Sequence, residues 1–412
     1  MRKICAALLL SLICAVGLAG KKYPKPPRNQ TPKKKPNHLY LVFTRDETTG
    51  EKRFGFMDNT GRLVIGFDRL PKETFGVGEF HDGRALILTR NKTSSTGHRE
   101  RTGYIDETGA VVIPAIFYVG LSFSEGLAHV VGDGFRGYVD RSGQIAIKLN
   151  DDDDESGDFH EGLAAVGNRK HWGYIDRSGR TVIKREYEFA GDFSEGLAAV
   201  VVDQKLGFID KRGEMKIPPR FEPRRGQHGE MLGTTFSEGL APVSTELTYR
   251  LQGTYGYINK KGEFVIKPQF QTARVFSEGL AFAVGREGST VKKVGWIDKS
   301  GAWVLTTVKD CISDLVKLDH NGYMDWRYRE GLTTFCDYSG AERLWGYMDR
   351  TGRVVIEPQR FNWAGPFIGG IAQVFNGAKS ASPNYAHTDD YGYIDRTGKF
   401  IWESSRSKAT GR

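Results

Sequence analysis

Carboxylates recur at fixed places in this chain. Glu125, Glu161, Glu195, Glu238 and Glu278 each precede a glycine, while Asp106, Asp176 and Asp210 each open a four-residue stretch ending in glycine. Two carboxylates held in unlike surroundings could serve as acid and base, or acid and nucleophile, at a glycosidic bond. Copies of one repeated position have like surroundings, which argues against that chemistry and for turn capping. The densest acid run, "NDDDDESGDFHEG" over 150–162, sets Asp152, Asp154, Ser156 and Gly157 where a calcium loop has its first ligands and its glycine. Leu163 stands where that loop needs a bidentate Glu, so the run is expected to be a solvated acidic loop.

Other chemistries find less support. The nine histidines form no short-spaced pair, and His81 and His160 occupy one repeat position, as tolerated surface variation would. No nucleophile elbow, zinc-protease helix, phosphate loop or dinucleotide fingerprint occurs in a suitable context. We therefore expect a non-enzymatic protein with no catalytic residue, no cofactor and no metal. Of four cysteines, Cys5 and Cys14 lie in an apolar leader, leaving Cys311 and Cys336 as the pair available for a disulfide. Aromatic residues are 12% of the chain and cluster at repeat positions, which core packing explains for most; Trp172, Trp326, Trp345 and Trp363 are the candidates for a ligand surface.

The elements that must carry these residues repeat. "GFMDNTG", "GYIDETG", "GYVDRSG", "GYIDRSG", "GFIDKRG", "GYINKKG", "GWIDKSG", "GYMDRTG" and "GYIDRTG" begin at Gly55, Gly103, Gly137, Gly173, Gly207, Gly256, Gly295, Gly346 and Gly392. The gaps hold a second phrase, from "FHDGRAL" at Phe80 through "FSEGLAAV" at Phe193 to the weaker "YREGLTTF" at Tyr328 and "FIGGIAQV" at Phe367.

Each copy reads physically as a hairpin. Tyr174 and Ile175 point to opposite faces of a short strand, Asp176 to Gly179 make a turn, and Thr181, Val182 and Ile183 form the β-branched return. Pro114, Pro218, Pro268 and Pro358 follow the return strand, where they are expected to end pairing. A further strand follows "FSEG", and recurrent alanines there (Ala85, Ala128, Ala164, Ala198, Ala241, Ala281, Ala372) suit closely approaching neighbours. Such a unit buries its faces only by stacking on others. The fold expected is all-β: a tandem array of short antiparallel hairpins or three-stranded units over 39–402, β-solenoid-like, with a propeller-like ring as the alternative. Unequal spacing of the copies favours the open form.

Residues 1–20 read as a signal peptide: Arg2 and Lys3, an apolar run from Ile4 to Leu18, then small residues. Residues 21–38 hold seven basic residues and five prolines without an acid, a disordered linker. Outside these two stretches basic and acidic residues balance, so the net charge of +9 does not point to nucleic acid. Residues 403–412 are expected to be a disordered tail.

The two phrases resemble the WG-repeat family of β-repeat proteins, over about residues 50–402. The Trp-Gly pair itself occurs as Trp172-Gly173 and Trp345-Gly346; Phe54, Tyr255 and Tyr391 substitute another aromatic, and Thr102, Arg136, Leu206 and Val294 depart from it. The resemblance implies a surface, exported or modular interaction protein of bacteria and brings no catalytic signature. With the leader, it leads us to expect an exported protein, periplasmic, secreted or at the cell surface. Its β surface would meet a protein partner at the envelope; the alternative is a module that binds carbohydrate or cell-wall polymer.

Overall fold

The computed structural model describes residues 38–46, 48–90, 100–150, 155–168, 171–225, 231–232, 234–246, 254–287, 290–306, 326–337, 344–359, 361, 363–375 and 391–404. The leader, almost all of the linker and residues 405–412 lie outside these. His38 belongs to the folded part, stacked edge-on against Tyr40, and the last strand, Phe400–Glu403, runs into the stretch expected to be tail.

Each hairpin forms for the reason its sequence suggests. Asp176 Oδ1 accepts hydrogen bonds from the backbone N–H of Ser178 at 2.9 Å and of Arg180 at 3.1 Å. Gly179 closes the turn at φ 81°, a conformation that costs a side-chain-bearing residue about 1 kcal/mol or more. The return strand then bulges. Phe208 pairs with Ile217 and Leu206 with Phe221, and Pro218 and Pro219 sit in the irregular stretch between. The prolines thus do not end pairing, as expected from sequence; the bulge removes the need for their N–H, and the strand re-pairs beyond it.

The bulge explains the first glycine of every hairpin. A Cβ on Gly207 would lie 2.6 Å from the Ile217 carbonyl oxygen and 2.9 Å from the Pro219 nitrogen, and Gly103, Gly256 and Gly346 face a carbonyl in the same way. Backbone occupies the space a side chain would need.

Most units have four strands rather than three. Phe189–Ala190, Leu197–Val202, Lys205–Asp210 and Met215–Phe221 pair in that order, all antiparallel. Phe264–Ala273 is the last strand of one unit and the first of the next, joining two units into a six-stranded sheet. The first unit has three strands, Tyr40–Arg45, Lys52–Met57 and Leu63–Ile65.

Units pack by a repeating contact. The hairpin tyrosine is fully buried and donates its hydroxyl to a carbonyl of the next unit: Tyr104 to Leu121 at 2.8 Å, Tyr138 to Gly157 at 2.6 Å, Tyr174 to Gly191 at 2.7 Å. The same ring meets the Phe of the next elbow edge-on, Tyr174 against Phe193 at 4.9 Å between centroids. The recurrent alanines are buried to 1% exposure or less, matching the close approach read from sequence. Tyr174→Phe is expected to cost about 1 to 2 kcal/mol by leaving the Gly191 carbonyl without its buried partner. Urea unfolding measures this, and a midpoint equal to wild type would mean that water supplies the bond.

The stack closes, which corrects the preference for an open solenoid. Tyr393 of the last unit donates to Leu41 of the first at 2.8 Å, the bond that Tyr104, Tyr138, Tyr174, Tyr257 and Tyr347 make to the units that follow theirs. Turn glycines pack on an isoleucine of the preceding unit, Gly179 on Ile147 and Gly262 on Ile217, and Gly61 of the first unit packs on Ile401 of the last. Tyr40, Val42, Met57, Ile371, Tyr391 and Tyr393 form one buried cluster across the seam. The nine hairpin units form a propeller-like ring. Unequal spacing misled the sequence reading because closure depends on contacts between the constant hairpins and elbows, which recur whatever the length of chain between them.

Candidate functional site

The "FSEG" elbows gather at one rim of the ring. Their carboxylate residues, Asp82, Glu125, Glu161, Glu195, Glu238, Glu278 and Glu330, all have φ between 50° and 54°, a region that disfavours side-chain-bearing residues. The carboxylate accounts for that strain. Glu195 accepts from the Gly239 N–H of the next elbow at 3.0 Å, and Glu238 accepts from Gly279 at 3.0 Å. The turn lysine of the next unit completes the grip: Lys260 lies 3.2 Å from the Glu195 carboxylate and donates to its carbonyl at 2.9 Å, and Lys299 does the same to Glu238. Ser194 donates to the Phe236 carbonyl of the next elbow at 2.8 Å.

The recurrent carboxylates therefore divide. Asp106, Asp176 and Asp210 cap their own turns as expected, whereas the elbow glutamates staple one unit to the next. Sequence reasoning missed the second role; the signal was a basic residue at the same turn position of seven hairpins (Arg141, Arg177, Lys211, Lys260, Lys299, Arg350, Arg396). Glu195→Ala is expected to cost about 1 to 2 kcal/mol, because it leaves the Gly239 N–H unpaired. Lys260→Ala should cost less than about 1 kcal/mol, since that ion pair is partly solvated. A double-mutant cycle on urea midpoints tests the order, and equal costs would contradict it.

With Phe, Gly and staple fixed by architecture, the residues flanking each elbow Phe vary: Glu79 and His81, Asp158 and His160, Asp192 and Ser194, Arg327 and Arg329. Those of several units share one electrostatic field. Burial raises the Asp158 pKa above the usual carboxylate range, and neighbouring Asp192 adds to it while His160 and His81 oppose it. Burial likewise raises Asp192, whose Oδ2 lies 3.5 Å from His160 Nε2. His81 and His160 are thus part of a polar arc rather than isolated surface variation. Among the described residues, no group of three or more His, Cys, Asp or Glu side chains is placed to hold a metal ion. Asp152 and Asp154 of the calcium-like run lie outside them, while Glu155 and Ser156 pair as a short strand with Gly167 and Val166.

The aromatic candidates do not form a platform. Trp326 and Trp345 are buried in a core cluster with Trp296, Tyr328 and Phe282, at 4% and 1% exposure. Trp172 and Trp363 are half-buried at the edges of two other clusters. Trp172 and Trp345 stand at the Trp-Gly position, whose side chain packs in a core cluster, and Trp326 stacks on Phe282. Cys336 is buried and disulfide-bonded; Cys311 lies outside the described residues.

A sequence profile described as "WG containing repeat" matches residues 103–133, 172–205, 207–222, 255–284 and 345–379. No curated protein matches the sequence. Solved structures with similarity include apo AztD from Citrobacter koseri, at 11% identity over 90% of this chain and 95% of that one, TM-score 0.36. Kluyveromyces lactis Hsv2 matches at 9% identity over 78% and 98%, TM-score 0.33. The β-propeller domain of the Trilobed protease from Pyrococcus furiosus matches at 12% identity over 63% and 93%, TM-score 0.33. At these scores the ring rests on the seam contacts, and the likenesses add no functional argument.

Proposed function

Because this chain belongs to the WG-repeat family, we infer that its unlike residues, and not its repeated ones, carry its function. The reading we propose is a non-enzymatic exported protein that presents the elbow rim to a protein partner at the bacterial envelope. The observation that carries it is the contrast along the rim. Phe, Gly, Leu and the stapling acid recur because they hold the ring, whereas the two positions flanking the elbow aromatic vary along the chain, and Glu79, His81, Asp158, His160 and Asp192 there serve no contact that every unit needs. Side chains free of architectural duty, set on a rigid ring, are what a specific polar interface requires.

Export draws support from the leader's layout and from a disulfide at Cys336, which persists in oxidising compartments. The carbohydrate reading loses support with the burial of Trp326 and Trp345. The test is cross-linking of the full chain in native envelope, beside a variant carrying Asp158→Ala, His160→Ala and Asp192→Ala. One saturable protein captured by the wild type and lost with the variant supports the rim. Equal capture by both, or retention on purified wall polymer alone, contradicts it.

A further inference from the structure

A second surface, independent of the rim, runs along the last strands of the units. Among the described residues, all the exposed large apolar side chains but Val119 and Leu121 lie on these strands, among them Ile145 at 61%, Val182 at 44% and Val265 at 48% exposure. The strands of Ile145 and Val182 sit at the edges of their sheets, and the Phe264–Ile266 part of Phe264–Ala273 pairs on one side only; each has one residue turned inward, Ile147, Ile183 or Ile266, beside residues turned to solvent. The next position outward is lysine in three units: Lys148, Lys184 and Lys267, in one register and all exposed. Met215 and Lys216 occupy the strand of the unit between the last two.

The chain elsewhere spends lysines on structure. Lys211, Lys260 and Lys299 each hold an elbow carboxylate. The ammonium groups of Lys148, Lys184 and Lys267 make no hydrogen bond and no ion pair among the described residues. Val182 and Lys184, like Val265 and Lys267, are two residues apart and share one outward face. An exposed β-branched group and an ammonium group thus share one outward face in two units, Val182 with Lys184 and Val265 with Lys267; a third unit carries Ile145 and Lys148 on its last strand, and in the unit between, Lys216 is held by Asp210 and Glu214.

We propose that this arc is a docking surface for an anionic lipid interface, the ring meeting it edge-on through Ile145, Val182 and Val265 with Lys148, Lys184 and Lys267 against the headgroups. Charge complementarity selects an anionic occupant, since each lysine near such a surface contributes attraction. Exposed β-branched groups standing singly beside ammonium groups on the outer strands suit a deformable interface, because apolar groups entering the headgroup region need no matching cavity.

The test is co-sedimentation of the full chain with vesicles of phosphatidylcholine, alone or mixed with phosphatidylglycerol. Binding to the mixed vesicles only is expected. The triple change Lys148→Gln, Lys184→Gln and Lys267→Gln should lower partitioning by about a hundredfold, and Ile145→Ser, Val182→Ser and Val265→Ser together by about tenfold. All six positions are exposed, so both triples should keep the wild-type unfolding midpoint. Mixed-vesicle binding that neither triple changes would assign it to the basic stretch at 21–38 and overturn the proposal. Binding to soluble polyglutamate that the lysine triple weakens, without sedimentation on either vesicle, would also overturn it, leaving an acidic protein segment as the occupant.

Discussion

Gly207→Ala is expected to lower stability by about 3 kcal/mol, near the upper end for adding one carbon to a packed site. The added Cβ would meet the Ile217 carbonyl and the Pro219 nitrogen, both backbone atoms inside a bulge that two strands define. Gly239→Ala is the informative comparison. Gly239 has φ 85° but nothing within 4 Å of its would-be Cβ, so it should cost only the left-handed strain of about 1 to 2 kcal/mol. Urea unfolding of both variants checks the ranking. If Gly239→Ala proved the costlier, backbone conformation rather than close approach would be the reason for the hairpin glycine.

The second large effect is on pH. His129 is 8% exposed, its Nε2 has no hydrogen-bond partner, and its ring lies edge-on to Tyr138. Burial, with Arg136 adding repulsion, lowers its pKa from 6.5 to about 4. The neutral ring is therefore the form the fold accepts. Above pH 6.5 both folded and unfolded chains hold it neutral and nothing is lost. As pH falls from 6.5 toward 4 the unfolded chain takes up a proton that the folded chain refuses, and stability declines by about 3 kcal/mol in total.

His129→Phe should abolish that part of the decline. The difference between wild type and variant, followed by urea unfolding from pH 7.5 to 4, removes the contribution of groups common to both, Asp158 and Asp192 included. The turn aspartates act lower still. Hydrogen bonds from the Thr60 hydroxyl and backbone hold Asp58 near a pKa of about 2, so its contribution fades only below pH 4. A difference that stays flat across pH 6.5 to 4 would show His129 to be solvated.

The hairpins and their capping aspartates were legible because a turn is local: Asp176 and Gly179 sit three residues apart and explain each other. The recurrent alanines were legible for a related reason, since a small residue at one register in nearly every copy announces a close neighbour. The glutamate staple was not. Glu195 and Lys260 are far apart in sequence, and each alone reads as an ordinary surface charge. Closure was hidden more deeply, because Tyr393 looks like every other hairpin tyrosine and only the seam shows that its acceptor is Leu41. The tryptophans misled in the opposite direction. Trp326 and Trp345 belong to a cluster assembled from three units, and a count of aromatic residues cannot say which side of a sheet they face.

Closure of the ring is the claim on which the staples, the rim and the outer arc all depend. The most direct measurement is the electron-spin distance between labels placed at positions 62 and 399, beside the contact of Gly61 with Ile401. The closed ring predicts one narrow distribution, shorter than about 25 Å, the span of two packed sheets with label arms. Packed sheets lie about 10 Å apart, so nine units stacked in an open solenoid would hold these labels roughly 80 Å apart. A distribution at that length would contradict the ring.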